Sequence, residues 1–298
     1  MTLIISCITQ ARVVQVSDRR LTYVMGPNSG QLADDERNKV LLVDGTLAMS
    51  YTGLAEVGNQ PTDDWLLDAV SQIGPAPLSQ LYSELGRRAA HDLSLQNVEA
   101  RHKRFAIAIA GWSRRSTQSA LHPFVATTSN AMGERLRWLP EAQPHFRSWH
   151  QVLRRDQSFI LQPIGQPISS DTLRELTINI RKAVRRNAGP LAIIQCLAKA
   201  IRTVARDNPS VGSSLMAIAL PRPTEGAPSG VSIPLSRDVM SNPSVAQEAL
   251  ALYLPPGDLE GVQYVPHLIC GTTDLKHGRI DIINPRELTV TLDLRRRE

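Results

Sequence analysis

The sequence predicts an α+β protein built as a four-layer αββα sandwich. Two observations carry that expectation. Strand-like and helix-like segments alternate in blocks, as strands, two helices, strands, two helices, strands. Each helix pair carries apolar residues for a sheet to cover: Leu78–Leu95 on one face at the 3.6-residue period, and Leu191–Arg206 nearly all round. Antiparallel strands facing each other, with a helix pair outside each sheet, satisfy both.

The first 53 residues read as a strand meander. Leu3–Ile8 is an apolar run, and Arg12–Ser17 is a β-branched run after a turn at Gln10–Ala11. Met25–Arg37, with Gly, Pro, Asn and Asp, reads as a loop. Val40–Val43 and Leu47–Thr52 flank Asp44-Gly45, a hairpin signal. Asp64–Ile73 reads as a helix, apolar at Trp65, Leu66, Ala69 and Val70. A second helix over Leu78–Leu95 aligns Leu81, Leu85, Ala89 and Leu93. Strands return at Phe105–Ala110 and Leu121–Thr127. Residues 129–156 are polar and basic around Trp138, Phe146 and Trp149 and read as an irregular excursion. Ser158–Ile164 is a strand stopped by Gly165.

Asp171 is expected to cap a helix over Thr172–Arg186, with Glu175 near the capping-box position and Asn187–Gly189 ending it. Leu191–Arg206 is apolar nearly all round and is expected to be buried between layers. Val211–Leu220 is a further strand. Residues 1–220 are expected to form one domain. Residues 221–298 read as an extension: a Pro-, Gly- and Ser-containing linker, then a tail with strand-like runs at Gln263–Ile269, Arg279–Ile283 and Thr289–Leu294.

Composition narrows the function classes. The chain has 298 residues, 42% hydrophobic and 20% charged, as in a soluble globular protein. No run approaches the length of an apolar membrane span, and the opening residues lack the basic segment and long apolar run expected of a signal peptide. Three cysteines, Cys7, Cys196 and Cys270, are odd in number and far apart, the usage of reduced thiols in a cytoplasm. The net charge of +5 is scattered among groups such as Arg101–Arg104 and Arg154–Arg155. With little aromatic interleaving, these are solvated faces rather than a nucleic-acid footprint. His267, Cys270 and His277 fit no zinc spacing, so no metal is expected. No Walker loop, dinucleotide fingerprint or Gly-x-Ser-x-Gly elbow occurs, and no cofactor is expected.

The chemistry concentrates at strand ends. The chain opens Met1-Thr2, and an initiator methionine is normally trimmed before a small residue. A terminal Thr2 would then join a hydroxyl nucleophile to a basic amine in one residue. Asp18 ends the second strand, Lys39 opens the third and Gly53 closes the fourth, so one meander can bring all three to Thr2. After the long helix comes Arg206-Asp207-Asn208-Pro209-Ser210-Val211-Gly212.

These residues resemble the motifs of proteasome β-type subunits, members of the N-terminal-nucleophile hydrolases. The likeness rests on Thr2, on Asp18-Arg19-Arg20, on Lys39, on Gly53 fourteen residues later, and on Arg206-Asp207-x-x-Ser210-x-Gly212. It spans about residues 2–220 and is nearest the simple bacterial members, including the ancestral β-subunit-like group. The chain departs from the family in a longer loop between Asp18 and Lys39, in the tail beyond residue 221, and in Gly165-Gln166-Pro167 where a Gly-Ser-Gly turn is usual.

The resemblance implies a threonine-type endopeptidase. Thr2 Oγ would attack the carbonyl, and its α-amine, ordinarily titrating at ~7.7–8.0, would accept the proton. Lys39 would hold a cation beside Thr2, and Asp18 would keep Lys39 charged. The Gly53 N–H would face the oxyanion, and Asp207 and Ser210 would orient the amine. Arg20, Tyr51 and Ala55 are the candidates for contact with substrate. The implied partners are a peptide or unfolded protein substrate, further copies in a homo-oligomeric ring or helical assembly, and an unfoldase. Two other readings stand beside this one: a small-molecule amidase or acylase, and a catalytically inactive assembly protein.

Overall fold

A computed structural model describes residues 2–22, 31–43, 46–58, 60–73, 76–114, 121–133, 138–223, 250–259, 261–263, 267–269, 271–274 and 279–282. The Asp44-Gly45 turn, Cys270, His277 and the Thr289–Leu294 run lie outside these residues.

The first sheet is antiparallel. Strands β1 (Leu3–Thr9) and β2 (Arg12–Asp18) pair as a hairpin, with Ile4 opposite Ser17 and Ile8 opposite Val13. The second sheet is built on β5 (Val40–Val43) and β6 (Leu47–Thr52). The short β3 (Leu21–Thr22) and β4 (Leu32–Asp34) pair before them, and β7 (Glu56–Val57) and β8 (Gln60–Pro61) pair after them.

Helix α1 (Thr62–Gln72), strand β9 (Ala76–Pro77) and helix α2 (Leu78–Ser94) follow. Then come β10 (Ala106–Arg114), β11 (Leu121–Ser129), β12 (Arg147–Val152) and β13 (Phe159–Gly165). Helices α3 (Ser170–Arg185) and α4 (Pro190–Asp207) precede β14 (Leu215–Pro221). The tail adds β15 (Leu250–Leu254), β16 (Val262–Gln263), β17 (His267–Ile269), β18 (Gly271–Asp274) and β19 (Arg279–Ile282).

The large sheets run β13-β1-β2-β14-β15-β16 and β12-β11-β10-β6-β5-β17. On the central strands apolar side chains alternate between the two faces, as the two-residue period demands. On β2, Val14 and Val16 meet Ile194, Leu197 and Ile201 of α4, while Val13 turns the other way, toward Leu42, Ala48 and Trp112. On the second sheet, Met49, Tyr51, Ile107 and Ile109 meet Trp65, Leu85 and Ala89 of α1 and α2.

The expected four-layer αββα sandwich is corrected. The described residues form five sheets rather than two, and β17 joins β5 in parallel, so the second large sheet is mixed. A three-stranded sheet carries β18 and β19 of the tail to β9, ahead of α2. Among the described residues the result is four α-helices with mostly antiparallel sheets. The physical reason is the sheet edge: β14 and β5 would leave unpaired N–H and C=O groups, and tail strands take them up. Arg202 of α4 locks the first of these, donating to the carbonyls of Ser213 (3.1 Å), Leu254 (3.2 Å) and Asp258 (2.6 Å).

Two local expectations also change. Residues 147–152 form a strand, β12, within the stretch expected to be irregular; its mostly exposed polar side chains hide the pairing with β11. Ser169, not Asp171, caps α3, its hydroxyl accepting from Thr172 N at 3.2 Å. On α4, Ile193, Ile194, Leu197 and Ile201 are buried, while Leu191 and Cys196 are half-buried, so the helix shows one face to the sheet. Among the described residues, no helix is long and apolar enough to cross a membrane.

Candidate functional site

One end of the two large sheets gathers Thr2, Asp18, Lys39 and Gly53. The strand register explains how. Asp18 is the last residue of β2 and lies opposite Leu215 of β14, while Leu3 begins β1 on the other side. The Asp18 carboxylate therefore closes the end of the ladder, accepting from Leu3 N at 2.6 Å and Arg20 N at 2.9 Å. The Gly212 N–H points to it as well.

Lys39 enters from the second sheet, just ahead of β5. Its side chain, like that of Asp18, is wholly buried. The ammonium donates to Thr2 Oγ1 and to the Arg20 carbonyl, and it reaches Asp18 Oδ1 at 3.5 Å. Burial pulls the Lys39 pKa down, against the attraction of Asp18. Burial likewise pushes the Asp18 carboxyl up, opposed by Lys39 and the three backbone N–H groups. Thr2 thus sits against a buried lysine whose proton is held less tightly than in water.

Thr2 itself is buried, and its carbonyl is clamped. It accepts from Thr52 Oγ1, the last residue of β6, and from Gln166 N, each at 3.1 Å. Gly165 allows the second contact. It has φ +102°, and a Cβ there would lie 1.9 Å from Thr2 O. Gly53 has φ +112°, and a Cβ would lie 2.0 Å from the Arg104 carbonyl.

The other expected residues are arranged differently. Ser210 donates to Asn208 Oδ1 at 2.7 Å and accepts from Gln166 Nε2 at 3.0 Å. Asp207 is exposed at the end of α4. Arg20 pairs with both oxygens of Asp35, at 3.0 and 3.1 Å, and donates to Pro209 O at 3.0 Å. Its guanidinium therefore braces the segment carrying Ser210. Tyr51 is 1% exposed, packed on Phe105 in the core, and burial beside Asp63 pushes its phenol up. Ala55 lines an open cleft of about 840 Å³, together with Leu21, Thr22, Arg37 and His102.

Sequence reasoning missed Thr52, Gln166 and Asp35. Gln166 was legible only as a departure from a turn pattern, yet its side chain is hydrogen-bonded to Ser210. Asp35 sat in a stretch read as loop, and nothing in the spacing marks it as the partner of Arg20.

No family model matches the chain, and no curated protein does. Among solved structures it is similar to Anbu, the ancestral β-subunit, from Yersinia bercovieri: 14% identical over 76% of this chain and 88% of that one, TM-score 0.45. It is also similar to a Gly-1 mutant of Anbu from Hyphomicrobium sp. strain MC1: 13% identical over 74% of this chain and 82% of that one, TM-score 0.47. These corrections bear on the resemblance to proteasome β-type subunits: the neighbours form a distinct, proteasome-like family, and likeness at this level assigns this chain to neither.

Proposed function

We propose that the chain is a hydrolase whose nucleophile is the Thr2 hydroxyl, cleaving peptide bonds through a threonine ester. The observation that carries this reading is the wholly buried Lys39 against Thr2 Oγ1, with Asp18 behind it. A hydroxyl becomes a useful nucleophile only beside a group that takes its proton. Lys39, with its pKa drawn down, is suited to that step in its neutral form.

In the proposed sequence, removal of Met1 frees the Thr2 amine. Thr2 Oγ attacks the substrate carbonyl and its proton passes to Lys39 Nζ. The Gly53 N–H faces the developing oxyanion, a contribution of ~10²–10³ in rate for one such donor. The tetrahedral species collapses to an ester as Lys39 protonates the leaving amine. Water, deprotonated by the Thr2 amine, then hydrolyses the ester and returns the proton to Oγ. The cleft lined by Thr22 and Ala55 is the proposed seat of the substrate chain.

The test is turnover of a fluorogenic peptide against a small acyl amide. Peptide hydrolysis supports the reading; hydrolysis of the amide alone replaces it with an amidase, and turnover of neither contradicts it. The pH profile adds a sign. If neutral Lys39 is the acceptor, the rate rises as pH climbs through its pKa, below the ordinary lysine range. Lys39→Ala is expected to lose that limb and ~10²–10⁴ in kcat.

A further inference from the structure

We propose an anion-binding pocket at the opposite end of β1 and β2, centred on Arg12 and fitted to the carboxylate or phosphate group of a small molecule. The pocket has a volume of about 420 Å³. Thr9, Arg12, Arg155, Asn187 and Ile193 line it. It is separated from Thr2 by the whole length of β1.

The central observation is a buried guanidinium nitrogen, Nη1 of Arg12, that finds no hydrogen-bond partner among the described residues. Arg12 is the first residue of β2 and is 8% exposed. Sharing strand parity with Val14 and Val16, it lies on the face that packs against α4. A guanidinium keeps its charge under ordinary conditions, and leaving it buried and unpaired is costly. Burial accordingly pulls its pKa down. An oxyanion supplies what is missing, since the planar fork matches carboxylate and phosphate alike.

The surroundings agree in sign. Arg155 adds a second cation on the rim. The carboxylate that also lines the pocket, Asp156, lies 3.6 Å from Arg154. The wall at Ile193 belongs to the first turns of α4, whose N-cap, Gly189, brings no side chain to the free N–H groups. Ile193, Val184 and Ala188 leave an apolar side, so the ligand is an oxyanion on a small organic body.

Titration calorimetry on the full chain at low salt tests this, with inorganic phosphate and succinate as probes. Saturable one-site binding of phosphate, weakened about tenfold to a hundredfold in Arg12→Met, supports the site. The same pattern with succinate and not phosphate supports it with a carboxylate as the ligand group. Arg155→Gln, at an exposed position, keeps the test valid if Arg12→Met does not fold, and it too must weaken binding. Failure of the wild type to bind either probe overturns the proposal, as does an unchanged affinity in the variants.

Discussion

Thr2→Ala is expected to abolish peptide turnover while the protein folds as before. The side chain is small, and the clamp on Thr2 uses its backbone carbonyl, held by Thr52 Oγ1 and Gln166 N. Alanine keeps both bonds and loses only the hydroxyl that faces Lys39. The nearby hydroxyls are engaged elsewhere, Thr52 Oγ1 with the Thr2 carbonyl and Ser210 Oγ with Asn208. Circular dichroism and the thermal midpoint should match the wild type. Thr2→Ser, which keeps the hydroxyl but frees its rotamer, should retain measurable turnover. A Thr2→Ala protein that hydrolyses peptide at the wild-type rate would place the chemistry elsewhere.

The largest expected loss of stability follows from Asp18→Ala. This carboxylate is wholly buried; it receives Leu3 N, Arg20 N and Gly212 N and faces the equally buried Lys39. Removing it strands three donors and one buried cation together. Breaking a buried pair by removing one partner costs ~3–5 kcal/mol. A fall of that size in unfolding free energy should appear in denaturant melts as a lower midpoint with an unchanged slope. Asp18→Asn keeps an acceptor for part of the set and should lose less. Equal midpoints for wild type and Asp18→Ala would mean that the carboxylate does not organise the strand ends.

Several parts of this arrangement were legible in the sequence because short-range rules govern them. Asp18, Lys39 and Gly53 each stand at a strand end, as read, but not of one meander. Asp18 closes β2 in the first large sheet, while Lys39 and Gly53 flank the β5–β6 hairpin in the second, so hairpin register sets only part of the arrangement. The helix over Leu78–Ser94 was legible because Leu81, Leu85 and Ala89 repeat with the helical period; the one covered face of α4, with Ile194, Leu197 and Ile201, was masked by apolar residues nearly all round.

What was not legible depended on distant pairing. Nothing local to Leu250–Leu254 says that it lies beside β14, or that His267–Ile269 runs parallel to β5. Those partners are chosen by which edges remain open after the first 220 residues have paired, and this is why the plain sandwich expectation gave way. Strand β12 escaped for the opposite reason: as an edge strand it is polar on most positions and carries no alternation to read. Tyr51 was expected at the substrate, because it flanks Gly53. The strand alternation turns it instead toward Phe105 and the helices, while Thr52, one residue on, reaches Thr2. Gln166 shows a third limit. A side chain that bridges to Ser210 across 44 residues leaves no mark on its own neighbourhood.

The central claim is that Thr2, with a free amine, is the nucleophile. The most direct measurement is the intact mass of the protein after incubation with a peptide epoxyketone, followed by mapping of the modified peptide. Such a reagent needs both the hydroxyl and the amine of a terminal threonine to form its ring adduct. The account predicts a chain lacking Met1, heavier by one inhibitor, with the adduct on Thr2. A chain that retains Met1, or one that has lost Met1 and stays unmodified, contradicts it.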